Sequence, residues 1–173
     1  MKTKQITTTN ANDEQIKRLY QISFPENEQI PWNDLVRLID EMNLDFTAYY
    51  EKDIFIGFTV VFPHEPFNWY WYFAVVPELR GQGRGQKILT TLIEKYKGKT
   101  CVLDMESPKQ KCNNSEQRIR RRNFYIRNGF RDTNLYRTYN DIEMTIMIIG
   151  DAVFTMQDWN NIVTELRKFW TWD

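Results

Sequence analysis

The chain alternates between stretches whose apolar residues recur every three to four positions and shorter, more continuous apolar runs. The first pattern predicts amphipathic helices. In residues 12–24, Ile16, Leu19, Tyr20 and Phe24 share one face behind an Asn or Asp cap. The other predicted helices are residues 33–42 with Asn33 or Asp34 as cap, a helix that follows the glycines at 81–85 and ends at Gly98, residues 116–128, and residues 155–169.

The second pattern predicts strands. Residues 46–62, "FTAYYEKDIFIGFTVVF", form two β-rich runs around the turn "EKD", which is a hairpin signal. Pro63 and Pro66 separate this hairpin from an aromatic strand at 69–76, so three consecutive antiparallel strands are expected. The remaining expectations are strands at 100–105 and 142–150 and a loop at 106–115.

Composition and charge then narrow the class of protein. A chain of 173 residues can bury one sizeable core but not two, so residues 1–173 are expected to form a single domain. Lys and Arg number 23, as do Asp and Glu, which gives no reason to expect nucleic acid or a membrane surface as a partner. The polar N-terminus lacks the hydrophobic region of a secretory signal, so a cytoplasmic location is the default expectation. Cys101 and Cys112 provide neither a disulfide framework nor a metal-ligand spacing.

The stretch "VVPELRGQGRGQKILTTLIEKY" joins the aromatic strand to the third helix. It is not a dinucleotide-binding fingerprint, because the third glycine position falls on Gln86 when counted from Gly81 and on Ile88 when counted from Gly83. It is not a Walker P-loop either. Successive glycines let a ligand approach the backbone, and a helix N-terminus presents unpaired N–H groups. A pyrophosphate is the ligand that this arrangement favours.

The same stretch resembles the acyl-coenzyme A binding motif of the GCN5-related N-acetyltransferases (GNAT), R/Q-x-x-G-x-G/A, which Arg80, Gly83 and Gly85 match. A second signature of that family, Tyr-x-x-x-Gly-Phe, is matched by "YIRNGF" beginning at Tyr125. The resemblance covers about residues 46–149. It implies an α/β (α+β) fold with a mixed, mainly antiparallel sheet flanked by helices. It also implies direct acetyl transfer from acetyl-CoA, as co-substrate and without a metal, to a primary amine of a small molecule or peptide.

By the same resemblance, the cofactor contacts lie on the end of the aromatic strand and on the glycine stretch. The strand is expected to carry a bulge near its end that splays it from the next strand. A backbone N–H near Val75 or Val76 would stabilise charge on the thioester oxygen. The cofactor-binding residues so implied are Phe73, Ala74, Val75, Arg80, Gly81, Gln82, Gly83, Arg84, Gly85 and Gln86.

Acetyl transfer to an amine needs a proton acceptor for the amine and a proton donor for the thiolate. Tyr125 matches the family's tyrosine general acid, and a thiol with a pKa of about 8.5 can be protonated by a phenol without strong tuning. The candidate bases are Glu106, after the strand at 100–105, and Glu28, between the first two helices. The simplest interpretation of His64 is a surface side chain, and that of the basic run 118–122 is a solvated helix face.

Aromatic residues leave further interpretations open. Trp69 and Trp71 alternate with Tyr70 and Tyr72, so one pair is expected on each face of the sheet. The last helix begins with a Thr155–Asp158 pair that resembles a capping box. Its neighbouring tryptophans either close this protein's own core or build a homodimer; they are Trp159, Trp170 and Trp172. The alternatives to an enzyme are a non-catalytic acyl-CoA sensor and an interaction module that uses this aromatic helix.

Overall fold

The computed structural model describes residues 1–171. Its strands are β1 (Lys2–Gln5), β2 (Asp45–Glu51), β3 (Ile54–Phe62), β4 (Phe67–Val75), β5 (Thr100–Glu106), β6 (Arg131–Tyr139) and β7 (Ile142–Ile149). Its α-helices are α1 (Glu14–Ser23), α2 (Trp32–Glu41), α3 (Arg84–Lys95), α4 (Ser115–Ile126) and α5 (Met156–Arg167). Two 3₁₀ turns, Glu26–Glu28 and Pro77–Leu79, lie in the connections that follow α1 and β4.

Residues 1–171 form one seven-stranded sheet in the order β1-β2-β3-β4-β5-β7-β6. Neighbouring strands are antiparallel except β4 and β5, which are parallel. The expected mixed, mainly antiparallel sheet is therefore confirmed, as are the three consecutive antiparallel strands β2, β3 and β4. Lys52 and Asp53 both have positive φ in the β2–β3 turn, as a tight hairpin turn requires.

Strand β1 is an element that the sequence pattern does not predict. Its four side chains are all exposed, so no alternation of apolar and polar residues marks it. It is held at the edge of the sheet by backbone pairing with residues 47–50 of β2. Local side-chain chemistry therefore carries no signal for this strand, which exists because β2 offers a free edge.

The starts of the first two helices differ in how they are capped. At α1 the Asp13 side chain accepts a hydrogen bond from the N–H of Gln15 at 3.0 Å, which confirms the expected cap. At α2 the expected caps Asn33 and Asp34 are wrong, because the helix already begins at Trp32. Pro31 occupies the N-cap position there and makes no side-chain cap.

A β-bulge at Trp71 changes the face that the following residues present. Val60 of β3 lies opposite Tyr72, and its neighbour Val61 lies opposite Tyr70, so Trp71 is an extra residue on β4. The bulge lies in the middle of the strand rather than near its end. Because the extra residue interrupts the two-residue alternation, residues after it occupy the opposite face from the one that simple counting predicts.

The expected pairing of aromatic faces along β4 is therefore wrong for Tyr72. Trp69, Trp71 and Tyr72 all pack on one side of the sheet, with Trp71 stacked 4.8 Å from Trp69 and 5.2 Å from Tyr72 between ring centroids. Tyr70 packs on the other side. The first side is covered by α1, α2 and α5, and the second by α3 and α4.

Strands β4 and β5 pair at their beginnings and then part. Residues 67–69 pair with residues 100–102, where the ladder between the two strands ends. Beyond this point β4 stays paired with β3 through Val75, while β5 stays paired with β7 through Glu106. The two strands thus separate toward their carboxyl ends, and the walls of the resulting cleft are the free edges of β4 and β5.

Helix α5, which lies beyond the motifs of the sequence resemblance, closes the core on the first side of the sheet. Trp159 is buried and meets Trp69 edge to face at 5.4 Å, so this tryptophan serves the protein's own core. Trp170 is partly buried against the same core, and Trp172 lies outside the described residues. The capping box is confirmed, with Thr155 and Asp158 each accepting from the other's backbone N–H.

The capping box gives a test of how strongly α5 is anchored. Thr155→Ala leaves an N–H at the helix start without its acceptor, so the free energy of unfolding should fall by about 1 kcal/mol in urea titrations. Thr164→Ala is the control, since this threonine is exposed inside the same helix. Alanine there should change stability by only a few tenths of a kcal/mol, in the stabilising direction. Equal losses in the two variants would contradict the assignment.

Candidate active site

The edge of β4 that faces the cleft is identified by its hydrogen bonds. The N–H of Val76 donates to the carbonyl oxygen of Ile56 at 3.0 Å, on the β3 side. Backbone groups alternate between edges, so those of Ala74 also face β3 while those of Phe73 and Val75 face the cleft. Of the two N–H groups expected near the thioester oxygen, that of Val76 is engaged and that of Val75 faces the cleft.

The N-terminus of α3 lies beside this edge. Gly83 takes the N-cap position with φ +75° and provides no side-chain cap, and the first helical hydrogen bond runs from Lys87 N–H to Gly83 O at 3.1 Å. Within the described chain, the N–H groups of residues 84–86 donate to no protein acceptor. A Cβ built on Gly81 or Gly83 would meet no described atom within 4 Å. The result is a row of donors beside backbone that side chains do not cover.

Gly85 sets how closely α3 approaches the strand. A Cβ at this position would lie 3.5 Å from Val75 Cγ2 and 3.9 Å from Phe124 Cζ. Helix α3 therefore begins directly against the end of β4. This contact joins the row of N–H donors to the cleft edge at Phe73 and Val75, so one extended ligand can reach both.

The long side chains of the glycine stretch make hydrogen bonds with other residues of the protein. Arg84 Nε donates to Glu51 at 3.1 Å, which compensates its charge, and Arg84 also contacts Gln82. Arg80 Nε donates to the carbonyl oxygen of Val75 at 3.0 Å, and Asn128 Nδ2 donates to Gln86 Oε1 at 3.0 Å. These contacts brace the loop in the shape that exposes its backbone.

Tyr125 lies on α4, on the second side of the sheet, whereas the 3₁₀ turn Glu26–Glu28 is held by Tyr72 on the first side. Its ring packs at 5.4 Å from both Phe124 and Phe130, and its hydroxyl makes no hydrogen bond with any residue between 1 and 171. Burial raises the pKa of Tyr125 to about 12, against which the nearby positive charge of Arg121 acts. The phenol is therefore protonated at neutral pH, as a proton donor must be.

Glu28 ends the 3₁₀ turn between α1 and α2, and that turn is fixed to the sheet by two tyrosines. Tyr72 of β4 donates its hydroxyl to the carbonyl oxygen of Glu28 at 2.8 Å. Tyr139 of β6 donates to the carbonyl oxygen of Asn27 at 2.7 Å. Residues from both sides of the parted strands thus clamp the turn over the cleft, so the position of Glu28 is set by the sheet.

The Glu28 carboxylate lacks the compensation that the neighbouring acids have. Its Oε1 is buried, and no described residue donates a hydrogen bond to it. Burial raises the pKa of Glu28 above its usual value, and the negative charges of Glu106 and Asp104 raise it further. Arg121 and Arg137 partly offset this rise. A half-buried carboxylate with a raised pKa and a free oxygen is suited to accept a proton.

Glu106, the other expected base, is held by two arginines of α4. Its Oε1 lies 2.8 Å from Arg118 Nη2, and its Oε2 lies 3.6 Å from Arg121 Nη1. Arg118 is only 5% exposed, so the interpretation of the run 118–122 as a solvated face is wrong at this position. Elsewhere in the run, Arg120 is exposed beside Glu116 and Arg122 pairs with Asp132 at 3.2 Å.

Asp104 and Arg137 are cleft residues that the sequence analysis missed. Asp104 accepts from Trp69 Nε1 at 3.0 Å and from Arg137 Nη2 at 2.5 Å, and Arg137 lies 4.9 Å above the Trp159 ring. A charged residue inside the apolar run "CVLDM" was a signal for Asp104. No comparable signal marks Arg137, because the strand β6 shows no clear alternation of exposed and buried residues.

The chain's one histidine and two cysteines take no part in the cleft contacts described above. His64 follows β3 at the opposite end of the sheet, partly buried against Phe62 rather than a free surface side chain. Cys101 is a buried free thiol, and Cys112 is also free. Residues 1–171 contain no group of three or more His, Cys, Asp or Glu side chains suited to a metal ion. Within the same residues, no helix is long and apolar enough to span a membrane.

Solved structures with a similar fold include several acetyltransferases. A protein from Bacteroides thetaiotaomicron, assigned to the GNAT family of acetyltransferases, shares 27% of its sequence, covers 97% of each chain and superposes with a TM-score of 0.79. The ribosomal-protein-S18-alanine N-acetyltransferase from Escherichia coli shares 16%, with 89% of this chain and 99% of that chain covered and a TM-score of 0.63. An aminoglycoside 6'-N-acetyltransferase complexed with coenzyme A shares 15%, covers 88% and 99%, and has a TM-score of 0.66.

The last two likenesses, at low identity, show the fold alone. A search among curated proteins finds no significant match. The model of the acetyltransferase (GNAT) domain family matches residues 43–132, which is just over half of the chain and contains β4, α3, β5 and α4. This match establishes that the chain belongs to the GNAT family of acetyltransferases.

Proposed function

We propose that the protein transfers the acetyl group of acetyl-CoA to a primary amine of a small molecule or peptide. The observation that carries this proposal is the continuity between the N–H row at the start of α3 and the free edge of β4. The row suits a pyrophosphate, and the strand edge suits the amide groups of a pantetheine arm. The two subsites meet at Gly85, beside the end of β4.

The residues present fit acetyl-CoA as co-substrate. Backbone of residues 81–86 would hold the pyrophosphate, since nothing in the described chain covers Gly81 or Gly83. The cleft-facing groups of Phe73 and the N–H of Val75, whose carbonyl oxygen already accepts from Arg80, would pair with the pantetheine arm. Acetyl-CoA supplies the thioester, whose acyl carbon bonds to the amine nitrogen as its bond to sulfur breaks. The products of this exchange are an amide and coenzyme A.

The proton balance assigns one role to Glu28 and another to Tyr125. The acceptor amine must lose a proton, and Glu28, with its free Oε1 and raised pKa, accepts it directly or through water. The departing thiolate gains a proton, and Tyr125 donates it. Glu106 serves as an anchor for Arg118 and Arg121 rather than as the base, because its two oxygens face two guanidinium groups.

Coenzyme A release with a panel of amines tests the proposal as a whole, and mass spectrometry of the products identifies the acetylated amine. Turnover with any amine supports an enzyme. Binding of acetyl-CoA without release in the presence of every amine would instead favour the sensor. Failure to bind acetyl-CoA at all would overturn the cofactor assignment.

The acid role of Tyr125 is tested by Tyr125→Phe, which keeps the packing on Phe124 and Phe130. Loss of a general acid should lower kcat by about 100-fold, with the dissociation constant of acetyl-CoA little changed. Tyr50→Phe is the control, because this partly exposed tyrosine packs on Phe55 on strands away from the cleft. Unchanged turnover in Tyr125→Phe would remove the role.

The pyrophosphate subsite is tested by a matched pair of glycines. Gly83→Ala and Gly98→Ala place a side chain at similar φ angles of +75° and +80°, and neither added Cβ meets a described atom within 4 Å. Both variants should lose about 1–2 kcal/mol of stability through backbone strain. Only Gly83→Ala should weaken coenzyme A binding, by about tenfold or more, as measured by calorimetry. Equal affinities in the two variants would contradict the subsite.

The base role of Glu28 is tested by pH. Because the pKa of Glu28 is raised, its carboxylate is lost as the pH falls through a value above the usual 4.5 of glutamate, and kcat/KM should fall with it. In Glu28→Gln this decrease of kcat/KM toward low pH should disappear together with most of the activity. Any pH dependence that comes from protonation of the amine itself should remain. Glu26→Gln, on the same turn but exposed, is the control. An unchanged decrease of kcat/KM toward low pH in Glu28→Gln would point to another base.

A further inference from the structure

The charges around the parting of β4 and β5 balance when every group is ionised. Three are negative and three are positive: Glu28, Asp104, Glu106, Arg118, Arg121 and Arg137. Apart from Glu28, each of the six takes part in an ion pair of the cleft. The balance constrains the acceptor, because uncompensated charge is costly in a partly desolvated cleft.

Two of the positive charges are committed to partners inside the protein. Arg137 binds Asp104 through Nε and Nη2, and the Asp104 side chain is only 7% exposed. Arg118, with a side chain 6% exposed, binds Glu106 at 2.8 Å and also donates to the carbonyl oxygen of Ser107. These pairs are internal, and a substrate cannot displace them without leaving a buried charge unpaired.

Arg121 differs from both. Its side chain is 41% exposed, and its contact with Glu106 is long, at 3.6 Å, on a carboxylate that Arg118 already holds. Its positive charge lowers the pKa of Glu28 and that of Tyr125, so it acts on both the proposed base and the proposed acid. Arg121 lies one helical turn before Tyr125 on α4, and its exposed guanidinium is available for another anion.

Proton transfer makes this charge matter. When Glu28 takes a proton from an acceptor bound as an ammonium group, both become neutral, and the other five groups sum to one positive charge, with Arg121 the most exposed of the three arginines. An acceptor with a second ammonium group would add to this charge. An acceptor with an anionic group would cancel it, and a guanidinium binds a carboxylate through two parallel hydrogen bonds.

We infer that the acceptor carries a carboxylate a few bonds from the reacting amine, as in a small amino acid, and that Arg121 binds that carboxylate. The inference rests on the proposed acetyl transfer and names its substrate class. It places the ammonium end at Glu28 and the carboxylate end at Arg121. It disfavours polyamines, because Glu28 is the one carboxylate among these six groups that lacks an ion-pair partner.

Three acceptors of equal chain length separate the charge of the far end from size. They are 4-aminobutanoate, n-butylamine and 1,4-diaminobutane, whose far ends are negative, neutral and positive; the two-carbon set of glycine, ethylamine and 1,2-diaminoethane repeats the comparison at a shorter spacing. We expect kcat/KM, from coenzyme A release, to be about tenfold or more higher for the amino acid than for the neutral amine of its set. The diamine should be the poorest of each set.

Variants of α4 assign the preference to a residue. Arg121→Gln should lower the ratio of kcat/KM for the amino acid to kcat/KM for the neutral amine of the same set by about tenfold, which removes the preference, and an effect common to all acceptors cancels in this ratio. Arg121→Lys should retain part of the preference, since lysine keeps the positive charge but cannot form the bidentate pair with a carboxylate. Arg120→Gln is the matched control, because this exposed neighbour pairs with Glu116 away from the cleft.

The outcomes distinguish the inference from the function on which it rests. Diamines that outperform amino acids in both sets would overturn the inference and leave acetyl transfer intact. A preference for amino acids that survives in Arg121→Gln would overturn the role of Arg121. Absence of coenzyme A release with these acceptors and with the whole amine panel would overturn the proposed function and the inference together.

Discussion

The parting of β4 from β5 is the constraint on which the site depends. Parallel strands normally continue side by side because each satisfies the other's backbone groups. Here the ladder ends after Trp69, and each strand keeps its other neighbour, so the sheet stays intact while one edge of β4 is released. The bulge at Trp71 lies two residues beyond the last pair and re-aims the strand. A strand edge released inside a sheet, rather than at its margin, is protected from pairing with other chains and is directed at a ligand.

The polar groups of the cleft follow from the same parting. Asp104 lies on the part of β5 that is not paired with β4. Its side chain accepts hydrogen bonds from Trp69 and Arg137 there. The 3₁₀ turn that carries Glu28 bridges the gap from above, fixed by Tyr72 on one side and Tyr139 on the other. Buried carboxylates are stable when paired and reactive when not. The cleft contains both kinds, with Asp104 and Glu106 compensated and Glu28 left with a free oxygen.

Helix α5, near the end of the chain, contacts residues of this cleft through Trp159. Trp159 contacts Trp69 on one side and the guanidinium of Arg137 on the other. The helix is thus part of the wall that holds Asp104, although it lies outside the motifs on which the sequence resemblance rests. Its aromatic residues, which on sequence grounds suited a partner surface equally well, are in part explained by this internal role.

The sequence by itself determined the elements with strong periodicity and the glycine stretch with its helix, because these depend on local spacing and local backbone freedom. The mixed sheet followed from the resemblance of the sequence motifs to those of the family. The sequence could not predict β1, which has no apolar pattern, or the face of Tyr72, because one extra residue in the strand reverses the alternation. Nor could it distinguish the surroundings of Glu28 from those of Glu106, since the sequence pattern places both carboxylates just outside the predicted helices and strands. Only the tertiary structure brought Arg118 and Arg121 to Glu106 and left Glu28 with an unpaired oxygen, because charge compensation depends on distances between residues far apart in the chain.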